Sequence, residues 1–247
     1  MRLEDYDLLW CVRRLPKELK KLMKEYPKTV IAGGYIRSIV TGEPVSDIDV
    51  FTHSKEKANH MAEHLASEMG FASKKIIKTD NAFTIPCSPY PVQFVHRWVF
   101  DSPMDVVRSF DYTISTGSFW WAGNSAEDSV GNKWASYVSE KFYPDLASRR
   151  LIYTSPVRNE DAGGSLLRML KYYQRGYRIT LPSLGAVIAR LMQGVENFSS
   201  FHLTEEMLAK VLTGLLREVD PLIDPDHIAH EANPDKTIDE QIEEMDE

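Results

Sequence analysis

Two short stretches hold residues whose types and spacing suit chemistry. Gly33-Gly34 leads into a segment bearing Arg37, and Asp47 and Asp49 follow, one residue apart. Adjacent glycines allow a sharp turn and let main-chain N–H groups approach a ligand, since no Cβ intervenes. A helix opening there adds unsatisfied N–H groups and partial positive charge, both favourable to a phosphate. Arg37, in the first turn of that helix, is placed for a bidentate contact to the same group. If Asp47 and Asp49 lie on a strand, both carboxylates point to one face while Ile48 and Val50 enter the core. Two neighbouring carboxylates repel unless a cation sits between them. Mg²⁺, a hard ion that keeps waters and bridges to phosphates, suits them, with Mn²⁺ as the alternative. Two ions about 3.5–4 Å apart would clamp the attacking and leaving oxygens of an in-line phosphoryl displacement. Taken singly, the glycine pair also reads as a plain strand-to-helix turn with a surface Arg, and Asp-x-Asp as a solvated strand edge. Together, at this separation, they predict a triphosphate cradle facing a metal site.

The elements that must position these residues follow from periodicity. Leu8, Leu9, Val12, Leu15, Leu19, Leu22 and Met23 predict a helix over Leu3 to Lys24, ending before Tyr26-Pro27. Thr29 to Ala32 reads as a buried strand, Tyr35 to Val40 as a helix stopping near Thr41-Gly42, and Asp47 to Thr52 as a strand with one functional face. Ser54 caps a helix running to about Met69. Lys74 to Lys78, Ala82 to Ile85 and Pro91 to Val99 read as strands, and Met104 to Ser109 as a short helix. The interleaving predicts an α+β head with a mixed sheet over residues 1–121. From there helical spacing dominates, over Leu146 to Leu151, Leu166 to Gly176, Leu184 to Phe198 and Glu205 to Val219, so 122–222 is expected to be a helical neck and C-terminal lobe. Residues 223–247 read as an acidic, flexible tail.

The 247-residue chain has a net charge of −7, which argues against a protein that coats nucleic acid non-specifically, and no DNA partner is expected. The stretch from Arg149 to Arg178 is nevertheless rich in Arg and Lys, so a local basic surface is available. The two cysteines, Cys11 and Cys87, give neither a disulfide framework nor zinc spacing, and a reducing, cytoplasmic home is expected. No apolar run reaches membrane-spanning length and the N-terminus lacks the pattern of a signal peptide, so no membrane partner is expected.

Gly33-Gly34-Tyr35-Ile36-Arg37 followed by Asp47-Ile48-Asp49-Val50 resembles the signature of the DNA polymerase β-like nucleotidyltransferase superfamily. The resemblance is closest to the class II branch of poly(A) polymerases and CCA-adding tRNA nucleotidyltransferases. Arg108 to Ser115 looks like that branch's Arg-Arg-Asp-Phe-Thr-Ile-Asn element, which contacts the nucleotide sugar. Asn159-Glu160-Asp161 with Leu167 to Lys171 and Gly176-Tyr177 looks like its neck-helix element. The likeness covers roughly Thr29 to Ile179 and implies transfer of NMP from an NTP to an acceptor hydroxyl, an RNA 3′ end favoured, with release of pyrophosphate. It implies Asp47 and Asp49 as metal ligands, and Gly33, Gly34 and Arg37 on the triphosphate. Asp111 would contact the ribose or supply a third acid, and Arg168 and Lys171 would approach the nucleotide. The departures are specific. Ser38 stands where the family has Asp, Ser109 and Ser115 replace an Arg and an Asn, and Gln93 occupies the strand position of the third carboxylate. No copy of the Glu-Asp-x-x-Arg element with which CCA-adding enzymes select bases is found. A protein or small-molecule acceptor, or an inactive nucleotide-binding scaffold, stands as the alternative.

His60-Met61-Ala62-Glu63-His64 is a literal H-x-x-E-H, and its histidines share a helix face. The apolar stripe Ala58, Met61, Ala62, Leu65 and Met69 turns that face outward, which disfavours a zinc hydrolase. Trp98, Trp120, Trp121 and Trp134 are expected to pack more than to stack bases. Tyr172 and Tyr173 beside Lys171 and Arg175 make an aromatic-basic helix face that suits a base, or that a plain amphipathic helix explains.

Overall fold

The computed structural model describes residues 1–72, 75–87, 89–123, 134–156, 162–196 and 207. The predicted helix Glu205 to Val219, the Asn159-Glu160-Asp161 segment and the tail 223–247 lie outside them, apart from Met207, which is helical and exposed. The described residues form two compact units, one from Met1–Phe110 and Ser115–Phe142, the other from Asp111–Ile114 and the described residues from Tyr143 on.

The first unit is built on a sheet of β1 (Val30–Ala32), β2 (Ile48–Phe51), β3 (Ile77–Lys78), β4 (Ala82–Ile85), β5 (Val92–Val95), β6 (Gly117–Trp121) and β7 (Trp134–Val138). Its seven strands run in the order β3-β4-β5-β2-β1-β6-β7. Only the β2–β5 pairing is parallel; the others are antiparallel, so the sheet is mixed, as the residue pattern predicts.

The predicted N-terminal helix is broken in two. α1 (Asp5–Arg14) and α2 (Lys17–Glu25) meet at Leu15-Pro16, where Leu15 is extended at φ −65° and ψ 143°. Proline lacks the N–H that a continuous helix needs and forces the residue before it out of the helical region. Each piece keeps its apolar face, with Leu8, Cys11, Leu19, Leu22 and Met23 buried. α3 (Gly34–Thr41) ends at Gly42 in the left-handed conformation, φ +71°. α4 (Lys55–Glu68) starts at Ser54, whose hydroxyl accepts from Lys57 N, and buries Ala58, Met61, Ala62, Leu65 and Ala66. α5 (Pro103–Arg108) is capped by Ser102 in the same way. Val106 of α5 joins Val30, Ala32 and Phe51 in a buried cluster on the sheet face that also carries Asp49.

Strand β6 closes the expected head at a place where no strand was predicted, and β7 falls within 122–222, where a helical lobe was expected. The first three residues of β6 and of β7 are buried in succession, so neither strand starts with an apolar-polar alternation.

In the second unit, α6 (Phe142–Ala147) is followed by β8 (Arg150–Leu151), where the sequence predicts helix through Leu151. Arg149 turns the chain at φ +51°. β8 pairs in parallel with β9 (Arg178–Ile179) across α7 (Ala162–Gln174), and α8 (Leu181–Glu196) follows. Asp145 anchors the turn: its fully buried carboxylate accepts from Thr113 Oγ1 at 2.6 Å and from Arg150 Nε and Nη2 at 2.9 and 2.6 Å. Among the described residues no helix is long and apolar enough to cross a membrane.

Candidate functional site

β1 delivers the chain to Gly33 at φ +83° and ψ −132°, a conformation that L side chains rarely adopt. Space forbids a side chain there as well, since a Cβ on Gly33 would lie 2.9 Å from Cε1 of Phe110. Gly33 N donates to the Gly117 carbonyl on β6 at 3.0 Å, pinning the turn to the neighbouring strand. α3 begins at the next residue, and Gly33, its N-cap, has no side chain with which to cap it.

Arg37 is buried, its side chain only 3% exposed, and its Nε lies 3.4 Å from Glu43 Oε2. Both terminal guanidinium nitrogens sit about 4 Å from where a Cβ on Gly34 would stand, at 3.9 and 4.0 Å. The charge is therefore held inside the packing against the glycine turn. Glu43 was not singled out from the sequence; the signal for it was an acid immediately after the Gly42 stop, within reach of the helix just ended.

Asp47 immediately precedes β2 and Asp49 lies within it, both half-buried. The register Val30↔Phe51 and Ile31↔Val50, continued by one residue, sets Asp49 beside Ala32, the residue before the glycine turn. The turn and the carboxylates thus meet at one end of the β1–β2 pair. Gln93 pairs in register with Asp49, and its Nε2 donates to Asp47 Oδ2 at 3.5 Å. Thr84, buried on β4, is the next residue across from Gln93. Among the described residues, no group of three or more His, Cys, Asp or Glu side chains could hold a metal ion. Two carboxylates and a neutral amide fit a single Mg²⁺ that takes its other ligands from water and a triphosphate; they do not form a cage that binds an ion alone.

The remaining candidates lie in the second unit. Asp111 is buried and accepts from Arg168 Nε at 2.7 Å. Lys171, one turn further along α7, is exposed. Burial raises the Tyr112 phenol above its usual range, the adjacent Asp111 adding to the effect, and its hydroxyl donates to Ser165 O at 2.7 Å. Tyr172 does not belong to a base-stacking face: it is buried, its ring packing against Tyr112 and Tyr177. Tyr173 is exposed, with the Arg178 guanidinium over its ring. His60 Nε2 lies 2.8 Å from Tyr26 Oη, and Trp134 is buried against Phe119 and Trp121.

The fold is shared with solved nucleotidyltransferases. The Thermotoga maritima CCA-adding enzyme complexed with tRNA aligns over 92% of this chain and 53% of its own, at 17% identity and a TM-score of 0.53. An apo form of a CCA-adding enzyme aligns over 96% and 52%, at 16% identity and a TM-score of 0.58. A CCA-adding enzyme in complex with CTP aligns over 95% and 54%, at 18% identity and a TM-score of 0.54. The chain thus spans about half the length of these enzymes, and at such identities the likeness is one of fold. No curated protein matches it. Residues 2–149, most of the chain and all of its Gly33-Gly34 and Asp47-x-Asp49 apparatus, match the model of the Gabija anti-defense 2 family, and the chain belongs to that family.

Proposed function

We propose that this protein is a metal-dependent nucleotidyltransferase of the class II type, moving NMP from an NTP to an acceptor hydroxyl, with an RNA 3′ end as the favoured acceptor. The observation that supports this reading is the meeting of the Gly33-Gly34 turn with Asp47 and Asp49 at one end of the β1–β2 pair. In the reaction the acceptor oxygen bonds to the α-phosphorus, the α–β bridging bond breaks, pyrophosphate leaves, and the hydroxyl proton passes to solvent. Main-chain N–H groups at the start of α3, beyond the Gly33 N–H that is bound to Gly117, receive the triphosphate, and the buried Arg37 keeps the turn in shape while adding positive charge beside it. Asp47 and Asp49 hold Mg²⁺, which supplies neutralisation of the triphosphate charge. Asp111 holds Arg168, which together with Lys171 contacts the nucleotide. The protein's contribution is positioning and electrostatics, with little proton transfer asked of side chains.

The test is incubation with each α-labelled NTP, Mg²⁺ or Mn²⁺, and pooled small RNA and protein, wild type against Asp47→Ala/Asp49→Ala. Label transferred by wild type alone supports the reaction, and the labelled species names the acceptor. NTP binding without transfer by wild type would point to a nucleotide-binding relic. A protein hydroxyl is the second reading, favoured by the family's name: countering a defence system is compatible with marking one of its proteins.

A further inference from the structure

α1 uses only one side on the core. Leu8 and Cys11 are buried there, and the Cys11 carbonyl accepts from the Tyr35 hydroxyl of α3 at 2.8 Å. The other side carries Tyr6 and Trp10, 78% and 50% exposed, one turn apart and so neighbours on the helix surface. Leu9, half-buried, lies alongside them. The Arg14 guanidinium stands 4.8 Å from the centroid of the Trp10 ring and holds the indole in place. Trp, Tyr and Arg are the residue types in which binding energy at protein interfaces is concentrated.

Two acids, Asp5 and Asp7, occupy the first turn of α1, and two bases, Arg13 and Arg14, the last. This order suits the helix dipole, which accounts for the charges but not for the aromatic pair between them. It also makes the face complementary to itself. When two copies of α1 meet antiparallel about a twofold axis near Leu9 and Trp10, the helical spacing sets Asp5 of each against Arg13 of the other on one flank. On the other flank Asp7 meets Arg14 in the same way. A parallel pairing would oppose like charges at both ends. A uniformly acidic or basic partner, nucleic acid included, would meet two like charges on this face.

We propose that the outer face of α1 is a self-association surface whose partner is a second copy of this chain, antiparallel and twofold-related, with Tyr6 and Trp10 in the seam. The helix has 10 residues and is about 15 Å long. One such face from each copy buries less than the roughly 1,600 Å² of a standard interface, so the dimer is weak and concentration-dependent. The inference stands apart from the transfer reaction and does not rest on it.

The experiment is sedimentation velocity of the full chain over about 1–100 µM, where a small interface shows its monomer–dimer equilibrium, with circular dichroism checking that each variant is folded. Wild type is expected to dimerise within that range. Trp10→Ala should dissociate at about tenfold higher concentration. Asp5→Lys and Arg13→Glu, both at exposed positions, should each weaken the dimer by about tenfold, because each sets like charges against one another twice. Mixed in equal amounts, the two single variants should recover the wild-type dimer, since Lys at position 5 of one chain then meets Glu at position 13 of the other, and Arg13 meets Asp5. A monomeric wild type, a dimer indifferent to Trp10→Ala, or a mixture as weak as its parts would overturn the proposal.

Discussion

Gln93 lies beside Asp49 in the parallel pairing of β2 with β5 and donates its side-chain amide to Asp47 Oδ2 at 3.5 Å. A neutral donor between two carboxylates eases their repulsion without adding a third negative charge. In the proposed reaction the two acids would hold a metal only weakly until a triphosphate brings oxygens of its own. Gln93→Glu is expected to raise Mn²⁺ affinity in the absence of nucleotide by about tenfold, a change of ~1.4 kcal/mol. Titration calorimetry with Mn²⁺ alone reads this directly; unchanged affinity would mean that position 93 does not face the ion.

The glycine turn is constrained twice over, by backbone and by space. Gly33→Ala must adopt φ +83° and push its Cβ into Phe110, only 2.9 Å away. A loss of roughly 2 kcal/mol or more is expected from strain and overpacking together. Gly34 is different, since its nearest neighbour would be the Arg37 guanidinium at 3.9 Å, an ordinary contact. Gly34→Ala should therefore fold nearly as well as wild type in urea titrations. Equal losses at both positions would contradict this account of the turn.

Arg37 and Glu43 form an ion pair with little access to water, at 3% and 11% side-chain exposure. Removing one partner leaves the other buried without its counter-charge, which costs about 3 kcal/mol or more. Glu43→Gln and Arg37→Met are each expected to destabilise, and the double variant to lose less than the sum. Thermal or urea unfolding around a double-mutant cycle measures the coupling; additive losses would show that the pair contributes nothing as a pair.

These three sites show what the sequence could and could not reveal. The β1–α3–β2 apparatus was legible because each residue's constraint is local: a glycine at positive φ, a helix stop at Gly42, carboxylates alternating on a strand. The partners were not, because Glu43, Phe110 and Gly117 meet the turn only through folding. Pro16 had the power to break the predicted long helix, but the apolar spacing runs unbroken across it, with Leu15 and Leu19 both buried. β6 and β7 were hidden for another reason. Successive buried residues such as Gly117, Ser118 and Phe119 carry no alternation, and Ser118 is buried without being apolar.

Alkaline conditions should weaken the first unit through Tyr35 and Cys11. The Tyr35 hydroxyl donates to the Cys11 carbonyl at 2.8 Å, and burial raises both groups above their ordinary pKa values. A raised pKa means that the folded state keeps the proton while the unfolded chain releases it. The stability is thus fully present below the unfolded values, near 9 for the thiol and 10 for the phenol, and declines as pH rises past them. Each group contributes a slope of about 1.4 kcal/mol per pH unit above its unfolded value. Urea midpoints at pH 7, 9.5 and 10.5 should fall in that order, and Cys11→Ala should flatten the first part of the decline.

The ion pair of Asp111 with Arg168 separates a structural role from a nucleotide-binding one. Asp111 is buried while Arg168 keeps about a third of its side chain in solvent, so the acid is anchored and part of the arginine side chain is accessible. In the proposed reaction Asp111 acts through Arg168. Arg168→Gln is then expected to weaken NTP binding by about tenfold. Asp111→Asn should weaken it less, and the double variant should be no worse than Arg168→Gln alone. Lys171→Ala, at an exposed position one turn along α7, should cost only a few-fold and lose its effect at high salt. A purely structural pair gives the opposite pattern: both variants melt earlier, yet bind NTP as wild type does once assayed below their melting temperatures. Measuring NTP affinity and thermal unfolding on the same four proteins decides between the two.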